Sequence, residues 1–359
     1  MKNEIFFLSL ITILTVSSCS NNTEEDIDTN NTLYTEVLTD VALNVITETY
    51  NSLYTNAKSL NAAVNTLTIG DELALQTVKD AWQSTRAPWE KSEGFLYGPV
   101  ATNTTSGTID EAIDSWPVDV NAINNILNSN VSITSSLLDT NNEARGFHTI
   151  EYFVWGLNGT KAASALTARE IEYLKAATQN LETKTQDLYN GWLASEGNFA
   201  KNFINAGTQA SLYKSQKGAL QEIVEGLVII ADEVANGKIE TPLNGNSGAA
   251  KPEVEESRFS NNSKLDFANN IRSIQNIYLG DYNNVNRKGI SDIVITTNTA
   301  LDASIKTAIS EAISAIEAIP GTFTNAIVNN RAEVQNAQTK VAALLTILET
   351  KLVPFISNL

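Results

Sequence analysis

The sequence predicts an all-α protein: two helical bundle domains packed side by side, behind a lipoprotein signal peptide and a flexible tether. Three observations predict it. Apolar residues recur at helical spacing along nearly the whole chain, only seven prolines interrupt 359 residues, and no run reads convincingly as a strand hairpin, Ile293 to Ile295 being too short.

Residues 1–18, MKNEIFFLSLITILTVSS, carry one lysine near the start, an apolar stretch from Ile5 to Val16 and small residues before Cys19. This is the pattern of a signal peptide, too short to span a bilayer as a stable helix. Its end, Val16-Ser17-Ser18-Cys19, resembles the lipobox of bacterial lipoproteins, in which the cysteine is acylated and becomes the mature N-terminus. Cys19 is the only cysteine, which rules out an intrachain disulfide or a cysteine-rich zinc site. Residues 19–32 are polar and acidic with no apolar period, as expected of a tether. Acidic residues soon after the lipidated cysteine resemble the surface-export signals of Bacteroidota lipoproteins. An outer-membrane lipid anchor is the expectation, with the periplasmic and surface faces both open.

Beyond the tether, one-sided stripes follow each other. Leu38, Val41, Val45, Leu53, Leu60 and Val64 form the first; Leu174, Leu181, Leu188 and Trp192 another; Leu220, Ile223, Val224, Leu227, Ala231 and Val234 a third. Leu301, Ile305, Ile309, Ile313 and Ile316 precede Val341, Leu344, Leu345, Leu348 and Leu352 near the C-terminus. Pro88, Pro117, Pro242 and Pro320 fall where stripes break, and Pro320-Gly321 reads as a turn between two long antiparallel helices. The Gly- and Asn-rich stretch 241–253 reads as a loop. The remaining length suits two cores rather than one, placed at 33–210 and 211–359.

A formal charge of −17 argues against nucleic acid, whose phosphates require clustered Lys and Arg. It suits cations, although an acidic solvated surface accounts for most of it. All five tryptophans lie between 82 and 192, near Arg86, Glu90, Glu93 and the single histidine, His148. His148 and Glu151 are three residues apart, which sets them on one helix face, where an imidazole and a carboxylate can ligate one cation. Two ligands make a weak site, so Glu93 and Asp114 are the candidates to complete it. Spacing alone also allows a packed histidine hydrogen-bonded to Glu151 with no metal.

The words around the pair add to this. Gly146-Phe147-His148-Thr149-Ile150-Glu151 fits the GxHxxE signature of the imelysin-like family. Trp82, Arg86, Pro88-Trp89, Glu93, Tyr97-Gly98-Pro99 and Trp116-Pro117-Val118-Asp119 resemble that family in order and spacing. The run 256–282 resembles its second-half motif, with Glu256, Ser257, Ser260, Ser263 and Asn270 as polar positions. The resemblance implies two helical bundles with the GxHxxE helix near their interface, in an iron-regulated envelope protein connected with iron acquisition and historically labelled a metallopeptidase. It implies His148 and Glu151 at the signature positions, Glu93 and Asp114 as acidic partners, and Arg86, Trp89, Glu256, Ser257 and Asn270 as supporting residues.

Zinc hydrolysis ordinarily needs about three protein ligands, an open position and a base. The helical His-Glu-x-x-His solution needs two histidines, so a peptidase here would rest on carboxylates, with Glu151 as ligand or base. Binding demands less. One imidazole among carboxylates suits iron first and zinc second, while haem is disfavoured because no cysteine attachment motif is present. The leading expectation is a protein that binds a metal ion or metal chelate and works beside a metal-uptake partner in the envelope. A metallopeptidase and a non-catalytic interaction protein, in which Arg86, Glu90 and Glu93 form an internal ion-pair network, are the alternatives.

Overall fold

The computed structural model describes residues 31–359; the predicted signal peptide, Cys19 and most of the tether lie outside them. The stripes become helices because each can bury its apolar side against another, and every stripe residue named above is buried. The described chain opens with α1, Thr32–Asp40, capped by the Asn31 side chain. A π-helical stretch, Val41–Thr47, joins it to α2, Glu48–Thr66. The Thr47 hydroxyl donates to the Ala42 carbonyl, five residues back along the wider turn, at 2.7 Å. Then come α3, Glu72–Glu90; a short α4, Ile109–Ile113; α5, Gly146–Trp155, which carries His148; and α6, Ala168–Trp192. In the C-terminal half follow α7, Gln216–Asp232, continued by a π stretch Glu233–Ile239; α8, Ser263–Leu279; α9, Thr299–Glu317; α10, Phe323–Asn329; and α11, Arg331–Ile347. The described strands are a two-residue hairpin, Asp281–Tyr282 with Val285–Asn286.

Helix α2 packs on α3 and α6, and α5 lies against α6 and α3; in the other half α9 packs on α8 and α11, and α7 on α8 and α11. The halves meet where α3 lies along α8 and where α7 crosses the 3₁₀ turn Glu93–Phe95. At that crossing a β-carbon on Gly226 would come within 2.3 Å of the Gly94 carbonyl oxygen, so the approach requires glycine. The buried apolar residues form one continuous cluster through both halves. Helix α1 belongs to the first half by sequence but packs on α7 and on the helix Ile290–Val294. Its start is fixed by Gln216, whose side-chain oxygen accepts from the Asn31 N–H at 2.8 Å.

Some local expectations change. Pro320-Gly321 leads into α10 rather than directly into a second long helix, so α9 and α11 are joined through an extra short element. Residues 241–244 continue the helix Glu240–Asn244, with Pro242 inside it, and Ile293 falls in Ile290–Val294. No helix among the described residues is long and apolar enough to cross a membrane.

Helix α5 begins at Gly146, whose φ of 76° favours glycine and whose added β-carbon would meet the Ile113 carbonyl oxygen at 2.4 Å. This contact seats the start of α5 against the end of α4 and so brings His148 to Asp114. Gly146→Ala is expected to lower stability by about 2–4 kcal/mol, read as a lower urea midpoint; an unchanged midpoint contradicts the packing argument.

Candidate metal centre

Arg86 sits on the inward face of α3, fully buried, and gathers carboxylates from both halves of the chain. Its guanidinium pairs with Asp114, which directly follows α4, and lies 2.5 Å from both Glu90 and Glu256 and 3.6 Å from Asp266 on α8. The Phe147 ring packs on its face at 5.1 Å. Asp114 is held from its other oxygen by the Trp89 indole N–H at 2.6 Å.

His148 lies beside this network, fully buried, with the Trp116 ring edge-on at 4.9 Å. Its Nδ1 is 2.9 Å from one Glu151 oxygen, while the other Glu151 oxygen accepts from both the backbone N–H and the hydroxyl of Ser260, each at 2.7 Å. A carboxylate so placed accepts a hydrogen bond from the Nδ1 N–H and fixes the ring. The opposite nitrogen, Nε2, is 3.1 Å from Asp114 and 3.4 Å from Glu256, yet is buried without an aligned hydrogen bond. Burial and Arg86 both push the imidazole pKa down, but the carboxylates of Asp114, Glu151 and Glu256 around the ring outweigh them and hold it well above the usual histidine value.

A second group adjoins the first. The Lys238 ammonium, carried by the π stretch Glu233–Ile239, lies 3.1 Å from Glu93, 3.2 Å from Glu256, 3.7 Å from Glu233 and 3.9 Å from Glu90. Asn270 on α8 donates to the Glu90 carboxylate at 2.6 Å and to its backbone carbonyl at 3.2 Å. Burial raises Glu90 to about 8 against the pull of Arg86 and Lys238, and raises Asp266 to about 6 against Arg86. Asp114 and Glu256 are partly buried, yet the cations around them hold both below the usual carboxylate range.

The sequence-predicted residues therefore assemble, with two rearrangements. Glu151 shares a face with His148 but grips the ring from the Nδ1 side, away from Asp114 and Glu256; spacing predicted a shared face, not which nitrogen it meets. Glu93 turns to Lys238 and forms a second potential ligand set with Glu90 and Asp114, while Asp114, His148 and Glu256 form the first. Ser257 holds a φ of 54°, and its carbonyl accepts from the Asn262 N–H at 3.1 Å, shaping the turn that delivers Glu256. Lys238 and Asp266 were missed. Asp266 stands four residues before Asn270 on the same face of α8, a spacing that could have revealed it; Lys238 has no such signal.

Replacing Arg86 with Met leaves several buried carboxylates uncompensated and is expected to cost about 3–5 kcal/mol near neutral pH. Glu90 and Asp266 have folded-state values above their unfolded ones, so the stability tied to their protonated forms is lost as pH rises through about 6 and about 8. Without Arg86 both rise further, so the deficit should be larger at pH 8 than at pH 5. Denaturation curves at the two pH values test this, and a pH-independent deficit contradicts it.

The imelysin family model matches residues 46–350. Iron-regulated protein A from Synechococcus elongatus is 26% identical over 318 residues, covering 87% of this chain and 84% of that protein. A crystal structure assigned to an iron-regulated protein A precursor from Parabacteroides distasonis superposes with a TM-score of 0.77 at 28% identity, covering 89% of this chain and 94% of the other. An imelysin-like protein from Psychrobacter arcticum shares the fold at 16% identity, with a TM-score of 0.71 and coverage of 91% and 97%. A match that spans both halves, from α2 to the end of α11, shows that the chain belongs to the imelysin family.

Proposed function

We propose that the chain binds a metal ion or metal chelate at the cluster around His148, with iron favoured and zinc second, and serves iron acquisition in the cell envelope. The observation that carries this reading is the orphaned Nε2 of His148. It is buried, aligned with no hydrogen-bond partner, and faces carboxylate oxygens of Asp114 and Glu256 at 3.1 and 3.4 Å. Adjacent ligand atoms around a first-row ion with bonds near 2.1 Å stand roughly 3 Å apart, so these residues fit a cation. His148, Asp114 and Glu256 would hold it, and Glu151 would orient the ring from behind. One nitrogen with carboxylate oxygens suits iron better than a sulfur-seeking ion. The names of the iron-regulated relatives support a role in iron physiology. The lipobox-like residues before Cys19 support a lipid anchor at the outer membrane.

Arg86 now neutralises Asp114 and Glu256, so a bound cation would take over part of that task. The same fact favours a second reading, in which the network simply joins the two halves of the chain and an outer face binds an envelope partner. Peptidase chemistry is the weakest of the three: His148 and Glu151 are both fully buried, which keeps a polypeptide from reaching them.

Calorimetric titration of metal-free protein with Fe(II) or Zn(II) separates these readings. Micromolar or tighter binding at one site is expected, abolished by His148→Ala and weakened about 10- to 100-fold by Glu151→Gln. No metal uptake at micromolar concentration would leave the network reading standing and overturn the metal site.

A further inference from the structure

On the outer side of the turn that delivers Glu256 lies a polar groove of about 450 Å³, bounded by the loop after α5, by residues 258–261 and by α10. This is within the size range of small-molecule sites. Arg258, Asn158, Asn261, Asn325, Asn329 and Thr324 line it, and no acidic residue does, in a chain of net charge −17.

Arg258 is the unexplained group. Arg86, Arg145, Arg169, Arg272 and Arg331 all donate to protein acceptors. Among the described residues Arg258 donates to none, and its Nε is buried without a partner. Arg287 also lacks one, but it is exposed on the hairpin. The Arg258 guanidinium is instead laid over the Phe259 ring at 5.0 Å, which orients its planar fork. The nearby Glu255 feels its charge, but that carboxylate accepts from the Ser263 hydroxyl at 2.7 Å and is not paired with Arg258. The four exposed asparagine amides around the groove, Asn158, Asn261, Asn325 and Asn329, make no side-chain hydrogen bond to protein among the described residues and can donate to a ligand in it.

We infer that this groove binds a small oxyanion, a carboxylate or a phosphate, seated on the Arg258 fork and hydrogen-bonded by the surrounding amides. An unpaired, ring-stacked guanidinium matches a planar or tetrahedral oxyanion through two parallel N–H donors. The absence of lining carboxylates removes the repulsion that the rest of this acidic surface would impose. Alternation along one turn separates this site from the metal cluster: Glu256 and Ser260 face the His148 side, while Arg258 and Asn261 line the groove. The inference stands whether or not the cluster takes a metal.

Calorimetric titration of the full chain, freed of metal by chelator, with tricarballylate and separately with inorganic phosphate tests it. One site per chain is expected for at least one probe. Arg258→Gln should weaken it about 10- to 100-fold, and Arg258→Lys, which keeps the charge and loses the fork, should fall between. Tricarballylate binding alone assigns an organic acid, and phosphate binding alone assigns a phosphoryl ligand. No heat from either probe at millimolar concentration, or equal affinity in folded Arg258→Gln, overturns the inference.

Discussion

The structure depends on the burial of one charge, the guanidinium of Arg86. Taking a cation out of water costs several kcal/mol unless counter-charges arrive with good geometry. Here they come from four places in the chain: Glu90 on the same helix, Asp114 after α4, Glu256 in the turn before α8, and Asp266 on α8. Satisfying Arg86 therefore requires both halves of the chain to be in place. The apolar core supplies the bulk of the burial, and this network sets how α3, α4 and α8 are registered against one another.

His148 depends on the same arrangement. Asp114 and Glu256 are shared between Arg86 and the imidazole, and Lys238 draws on Glu256 from its other oxygen. Six carboxyl groups, Glu90, Glu93, Asp114, Glu151, Glu256 and Asp266, thus surround two permanent cations and one ring. Burial raises Glu90 and Asp266, while Asp114 and Glu256, closest to the positive groups, are held low.

Much of this was legible in the sequence, for definite reasons. Helices were readable because a 3.6-residue apolar period is a direct imprint of one-sided burial, and each stripe residue is buried. The His148–Glu151 pair was readable because residues three apart share a helix face. Where Glu151 points was not, since face does not determine which ring nitrogen is met. Lys238 was invisible because it lies within a π stretch, whose wider turn shifts the register that a strict helical period assumes. The packing of α1 on the C-terminal half was likewise hidden, because a stripe reveals that a face is buried and not what covers it.

Under the metal reading proposed above, a cation between His148, Asp114 and Glu256 would take over part of Arg86's role. Anomalous diffraction from crystals soaked in Fe(II) or Zn(II) tests it most directly. A metal peak is expected within bonding distance of His148 Nε2 and of carboxylate oxygens from Asp114 and Glu256, with the Arg86 guanidinium displaced from at least one of them. Ordered crystals with no peak there and Arg86 still pairing both carboxylates would contradict it.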